Sequence, residues 1–348
     1  MYLLFFKTTF VMMKFGQLFA ISATAAILSS TAARAANLVH CYSFNTLPSY
    51  SAVSEGGTIK DDVNPSDDRW AFTLTHKGEK PDIPTMVLPS RDPGIYDNPP
   101  HGYDSKYGNY LYVGATTNNT GGEYLTAQGD PLNMNDAWKY SVVMWVNPTT
   151  ANNPTVTLFS IGNDQNGLRF SYNSNGTLDF SLYAVSGDQL MTISLGQVST
   201  GHTFTGTESD FHHVGISFAK DENNNLSVNY YIDGQTKNPD AGKITSNLGN
   251  EFTTIKNADG SISLNIQALI DKYGIDSLNG LNIGADGLTS TDSVGSVRYD
   301  DIKIYDDILT PEELKNSMDP YTPSVPEPAS AALALLGFSG MAFRRRAK

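Results

Sequence analysis

The 348-residue sequence contains one cysteine, Cys41. A lone cysteine cannot close an internal disulfide, so the fold must be held by a packed core rather than by cross-links. Cys41 stands in the apolar-rich stretch LVHCYSF, where a free thiol acts as a small buried hydrophobe. Basic residues are also scarce: 23 Lys and Arg face 36 Asp and Glu, a net charge of −13. Seven of the basic residues (Lys7, Lys14, Arg34, Arg344, Arg345, Arg346, Lys348) sit at the two ends, with one acid, Glu327, which leaves residues 36–325 with 16 basic and 35 acidic residues, a net of −19. So acidic a surface repels phosphate backbones and excludes nucleic acid as a partner. Inside the body no helix-period stretch exceeds a few turns, no repeat is visible, and neither H-E-x-x-H nor G-x-S-x-G occurs.

Both ends are short address-like segments. Met13 to Ala36 (MKFGQLFAISATAAILSSTAARAA) opens with Lys14 and continues through an apolar run, Phe15 to Leu28. Ala33 and Ala35 then give small residues at the two positions that a signal peptidase reads. The pattern predicts a secretory signal peptide, residues 1–35, cut after Ala35. Its apolar run is short for a membrane span. Met13 is the better initiator, which makes residues 1–12 an extension from an upstream start. At the other end Val325-Pro326-Glu327-Pro328 precedes an apolar segment, Ala329–Phe343, and the cluster Arg344-Arg345-Arg346. Fifteen helical residues reach about 22 Å, a little short of a typical hydrocarbon core, and the arginines hold the cytoplasmic side.

The body between them reads as β almost throughout. YSVVMWV (140–146) is apolar on both faces, as in a central strand. LRFSYN and TLDFSLYA flank Ser174-Asn175-Gly176, a hairpin signal. LSVNYYI (226–232) alternates and then meets Asp233-Gly234; QLMTISL, FHHVGISF and DIKIYD are further strands. Many short strands with turn signals between them predict an all-β sandwich or barrel. One short helix is expected at Thr310-Pro311-Glu312-Glu313, a capping box with Pro at the first helical position. A Tyr- and Pro-rich stretch, about 77–110, reads as a long loop or insertion.

Several of these segments, in this order, resemble the laminin-G-like domains of the concanavalin A-like lectin/glucanase superfamily. LVHCYSFN (38–45) is similar to the opening strand, and residues 121–149, with Tyr124 and Trp145, to the region around the central strand. TLFSIGND (157–164), FHHVGISFAKDENNNLSVNYYIDGQ (211–235), LNIGAD (281–286) and VRYDDIKIYDDILTPEEL (297–314) follow as the family has them. The resemblance implies a two-sheet antiparallel jelly-roll sandwich over residues 36–318, joined by a linker (319–325) to the tail. The chain departs from the family at 46–120, which is long, and at about 236–280, where a hairpin and a short helical turn are added. The tail (326–348) resembles the PEP-CTERM sorting signals. That resemblance implies a transient stop in the inner membrane, an exosortase-type processing enzyme as partner, a Gram-negative cell that makes an extracellular polymer, and delivery to the cell surface, outer membrane or extracellular matrix. A permanent single-span anchor is the alternative.

Chemistry is thin. Superfamily glucanases carry a Glu-x-Asp-x-x-Glu pattern, which supplies the two carboxylates that glycoside cleavage needs; this sequence has none. His212 and His213 are adjacent on a strand and point to opposite faces, so the pair cannot hold one ion from that strand. Alternation in YDDIKIY sets Asp300 with Ile302 and Ile304, and Asp301 with Tyr299, Lys303 and Tyr305. An inward carboxylate needs a partner. Either a structural Ca²⁺ ion binds at Asp300, as jelly rolls of this kind place one, or Asp300 bonds to the Thr310 capping region or a loop backbone. Tyr96, Tyr103 and Tyr107, with His101, Tyr110 and Tyr112, either offer rings to a sugar or pack over a sheet edge. The expectation is a non-enzymatic surface or matrix protein that binds a glycan, its own exopolysaccharide or a host polymer; a structural matrix protein without a discrete ligand and a glycan hydrolase or lyase are the alternatives.

Overall fold

The computed structural model describes residues 35–44, 58–78, 110–113, 121–127, 138–149, 155–186, 189–204, 211–239, 245–246, 253–256, 262–275, 278, 280–286 and 296–320. The signal cleavage residue Ala33, the loop tyrosines Tyr96, Tyr103 and Tyr107, the sorting motif Val325–Pro328 and Arg344–Arg346 lie outside them. Ala35 is exposed and precedes the first strand. Among the described residues no helix is long and apolar enough to cross a membrane.

Two antiparallel sheets, each of nine described strands, form a jelly-roll sandwich. Across the first run β1 (Leu38–Tyr42), β18 (Ser296–Tyr305), β6 (Lys139–Thr149), β11 (His212–Lys220), β12 (Asn225–Ile232), β16 (Ile262–Asn265) and β15 (Thr253–Lys256), with β4 (Leu111–Val113) paired to β18 and β13 (Gln235–Lys237) to β12. Across the second run β14 (Thr245–Ser246), β10 (Gln189–Ser199), β9 (Thr177–Ser186), β8 (Asn166–Asn173), β7 (Thr155–Gly162), β17 (Leu281–Ile283), β5 (Gly121–Ala127), β3 (Phe72–Gly78) and β2 (Thr58–Ile59). The added segment after 236 supplies the β15–β16 hairpin and a short helix, α1 (Gln267–Tyr273), as its sequence predicts. Gly176, at φ 78°, closes the β8–β9 hairpin.

Period-two alternation builds the core. From β12, Leu226, Val228, Tyr230 and Ile232 turn inward, as do Val142, Met144 and Val146 from β6. From the opposite sheet come Leu168, Phe170 and Tyr172 of β8 and Leu178, Phe180 and Leu182 of β9. Rings meet across the gap: Phe180 stacks on Phe218 at 5.5 Å, and Phe170 lies 6.2 Å from Tyr230. Core tyrosines carry a hydroxyl that must find a partner. Tyr299 donates to the carbonyl of Leu158 at 3.0 Å, and Tyr230 donates to that of Gly196 while accepting from the amide of Phe180. These bonds tie one sheet to the other at fixed register.

Strict alternation fails at bulges in β7, in β10 and, with a change in which charged groups face outward, in β18. In β18, Val297 and Tyr299 face the core, and so do Ile302 and Ile304. Parity flips because a β-bulge interrupts the pairing with β6 between Asp300 and Lys303. Asp301 takes a left-handed conformation, φ 46°, and its amide donates to Asp300 Oδ1 at 2.7 Å. Asp is among the few non-glycine residues that tolerate such a φ, and here the carboxylate of the preceding residue, Asp300, holds the Asp301 amide. Tyr299 therefore points inward, opposite to the uninterrupted alternation, and Asp300 stands across from Trp145 on the outer side.

Candidate binding face

The outer faces of the two sheets are built from different residues. On the first sheet Trp145, Phe211 and His213 form a second, smaller apolar layer: Trp145 and Phe211 cluster with Tyr110 and Met318, and the Trp145 and His213 rings are 5.3 Å apart. Helix α2 (Pro311–Ser317) covers this side. Its capping box is as the sequence predicts: Thr310 Oγ1 accepts from the Glu313 amide at 3.3 Å, and the Glu313 carboxylate accepts from the Thr310 amide at 2.8 Å. Beneath it Lys303 Nζ, 3 % exposed, donates to Asp301 Oδ2 at 3.2 Å, to the carbonyl of Ser317 at 2.9 Å and to that of Asp319. A buried ammonium thus caps the helix C-terminus, where the carbonyl ends favour a cation. His213 is fully buried and neither ring nitrogen has a hydrogen-bond partner. Burial, reinforced by the nearby Lys303 charge, pushes its pKa down to about 3.

The second sheet turns hydroxyls and amides outward. The strand register aligns Thr73, Thr126, Asn282, Ser160, Arg169, Ser181 and Ser194 in one row that crosses β3, β5, β17, β7, β8, β9 and β10. A second row places Thr157, Ser171 and Asp179 side by side. Arg169 Nη1 pairs with Asp286 Oδ2 at 3.2 Å, and Asn282 donates to Ser160 Oγ at 3.2 Å. Asp179 accepts from the Ser194 hydroxyl. Burial pushes the Asp179 carboxyl up, with Ser194 and Arg169 pulling against it. Three polar atoms of this face, Arg169 Nε, Ser171 Oγ and Thr157 Oγ1, are buried without a hydrogen-bond partner. Unpaired buried polar atoms cost free energy, and these three lie on two adjacent strands, β7 and β8.

One cluster of metal-ligating side chains occurs among the described residues: His202, His212 and Asp233, with ligand atoms all within 4.8 Å of one another. Asp300 is not in it. Elsewhere carboxylates hold structure. Asp61 accepts from the amides of Cys41 and Val63 and from Asn64 Nδ2, and pairs with His40 Nδ1 at 2.8 Å. Burial opposes its ionisation, but these bonds win and keep its pKa below the ordinary value. Sequence reasoning missed His202 and Arg169 because their partners are remote in the chain; the alternation in β8 places Arg169 outside but says nothing of Asp286.

Residues 119–277 match the family model of the concanavalin A-like lectin/glucanases superfamily, laminin G type, and residues 324–346 match the PEP-CTERM protein-sorting motif. The chain carries both. The motif marks an exported protein sorted to the cell envelope. No curated protein matches the chain. Among solved structures it is similar to domain 4 of AbnA, a GH43 extracellular arabinanase from Geobacillus stearothermophilus, in complex with arabinotriose (15% identity, 82% of this chain and 100% of that one, TM-score 0.43). It is also similar to the receptor-binding domain of botulinum neurotoxin type G (14% identity, 80% of this chain and 50% of that one, TM-score 0.40). A further likeness is to the CBM40 of Ruminococcus gnavus IT-sialidase bound to α2,6-sialyllactose (13% identity, 53% and 84%, TM-score 0.33). None of these likenesses bears on what this chain binds.

Proposed function

We propose that this exported protein binds a glycan, without catalysis, on the outer face of the second sheet, and that an exosortase-type enzyme processes its tail at the cell envelope. The cross-strand polar row carries the reading. Sugars present hydroxyls at regular spacing, and a row of seryl, threonyl and amide groups around an arginine–carboxylate pair offers matching donors and acceptors. Arg169 Nε, Ser171 Oγ and Thr157 Oγ1 supply buried hydrogen-bonding capacity that the chain itself leaves unused. The absence of a Glu-x-Asp-x-x-Glu pattern supports binding rather than turnover, and Asp286 is engaged by Arg169 and Asp179 by Ser194.

The near-complete burial of Ser160, Ser171 and Ser181 favours a second reading, in which the row is an interior network and the protein is a matrix component with no discrete ligand. A glycan array probed with the purified full chain, with Ca²⁺ and then with a chelator, separates the two. A specific hit lost in Arg169→Gln supports the binding face. A hit retained in that variant moves the ligand elsewhere, and a blank array favours the matrix role. Loss of the hit with chelator, reproduced by Asp300→Ala, would support calcium at Asp300. Product formation abolished by Asp179→Asn would overturn the non-catalytic reading.

A further inference from the structure

We propose that His202, His212 and Asp233 form a binding site for a divalent transition-metal ion of the zinc class. The three ligands come from separate segments: the stretch after β10, the first residue of β11, and the turn between β12 and β13. His212 Nδ1 and Asp233 Oδ2 are already 2.9 Å apart, and all three ligand atoms lie within 4.8 Å of one another. A zinc ion needs its donors at about 2.0–2.2 Å, which requires only that exposed His202 and Asp233 close in by side-chain rotation. Two imidazole nitrogens and one carboxylate oxygen suit zinc, copper or nickel and not calcium or magnesium, which take oxygen. Three protein ligands leave a fourth position open to water or to another group.

The surroundings fix the ligands one by one. Asp233 is held at φ 48° and its Oδ1 accepts from the His213 amide at 3.0 Å, which reserves Oδ2 for the site. The His202 amide donates to Thr200 Oγ1 at 3.1 Å, and the Thr200 hydroxyl lies 2.9 Å from the Gly176 carbonyl. The rings of His202 and His212 stack at 4.2 Å, and the edge of Phe204 backs His212 at 5.2 Å. His212, packed between His202 and Phe204, is held by its neighbours, while the exposed His202 and Asp233 side chains supply the small adjustment that coordination needs. A surface with a net charge of −19 over residues 36–325 raises the local concentration of cations. The ion would join the second sheet's β8–β10 region to the His212 end of the first sheet. Stacked imidazoles also have a role without metal, as packing around the His212–Asp233 ion pair, so the test must separate the two.

Titration of the chelator-stripped full chain with ZnCl₂ at pH 7.5, followed by calorimetry, tests the site, with the intensity of the Co²⁺ visible spectrum reporting the coordination. The expected result is one equivalent bound and not displaced by excess Ca²⁺ or Mg²⁺. His202→Ala, at an exposed position, should fold with an unchanged melting temperature in chelator, yet lose zinc affinity by more than about tenfold. It should also lose the zinc-induced rise in melting temperature. Asp233→Asn, which keeps the bond to the His213 amide, gives a second reading. Unchanged zinc affinity in both variants would assign the ion to other histidines and overturn the site, as would absence of binding to the parent protein or displacement by Ca²⁺.

Discussion

The two sheets share one core but treat their outer faces in opposite ways. The first sheet doubles its interior: Trp145, Phe211 and His213 add an apolar layer, and Lys303 and Asp301 neutralise one another beneath α2. The second presents Thr, Ser, Asn and Arg along the same pleat positions and leaves three buried polar atoms unpaired. The first face is mainly apolar and ion-paired, although the two ring nitrogens of His213 are also buried there without a hydrogen-bond partner. A polar face with unpaired hydrogen-bonding groups forgoes some stability, and under the binding reading a ligand would supply the missing partners.

Substitution at Lys303 should show the largest effect. Lys303→Ala leaves Asp301 buried and strips the donor from the carbonyls of Ser317 and Asp319. Loss of one partner of a buried ion pair costs about 3–5 kcal/mol, read from urea unfolding. A loss under 1 kcal/mol (roughly the value of an exposed pair) would show that this side is not the stability-bearing one.

His213 sharpens the contrast through pH. Its folded pKa of about 3 lies below the ordinary 6.5, so between these values the unfolded chain binds the extra proton. Stability therefore rises with pH across that window, and the histidine's contribution is lost as pH falls from 6.5. At pH 5 the loss relative to pH 7 is roughly 2 kcal/mol. His213→Phe should flatten the stability profile between pH 5 and 7; a slope unchanged in that variant would assign the titration to another group.

Smaller effects follow at the helix cap and on the polar face. Thr310→Ala removes the capping box and should cost about 1 kcal/mol. Ser171→Ala deletes a buried hydroxyl that bonds to nothing, so it should be neutral or stabilising by up to about 1 kcal/mol. Under the binding reading its penalty appears in glycan affinity alone. A destabilisation of Ser171→Ala as large as that of Thr310→Ala would erase the proposed difference between the faces.

Much of this was legible along the chain. The alternation of 226–232, the Ser174-Asn175-Gly176 turn, the doubly apolar 140–146 and the capping box at Thr310 each rest on contacts within a few residues, or on burial, which periodicity reports directly. The β18 bulge was not legible, because period two cannot announce the residue at which it breaks; the Asp300-Asp301 pair is a hint only once a positive φ is seen there. The polar face proposed to bind was invisible for a different reason. Serines on strands read as ordinary exposed positions, and only register places Arg169 between Ser160 and Ser181.

The sequence alone determined the all-β character, the strongly acidic charge, and the Val325-Pro326-Glu327-Pro328 address at the tail, since each depends on residue type and local spacing. Tertiary structure decided which groups meet. His202 and His212 stand ten positions apart, Asp233 a further 21 and Arg169 and Asp286 117 apart, and sheet pairing brings each set within bonding or coordinating reach. Contacts of that range carry no local signature, because what sets them is the register of strands whose own sequences are satisfied by alternation alone.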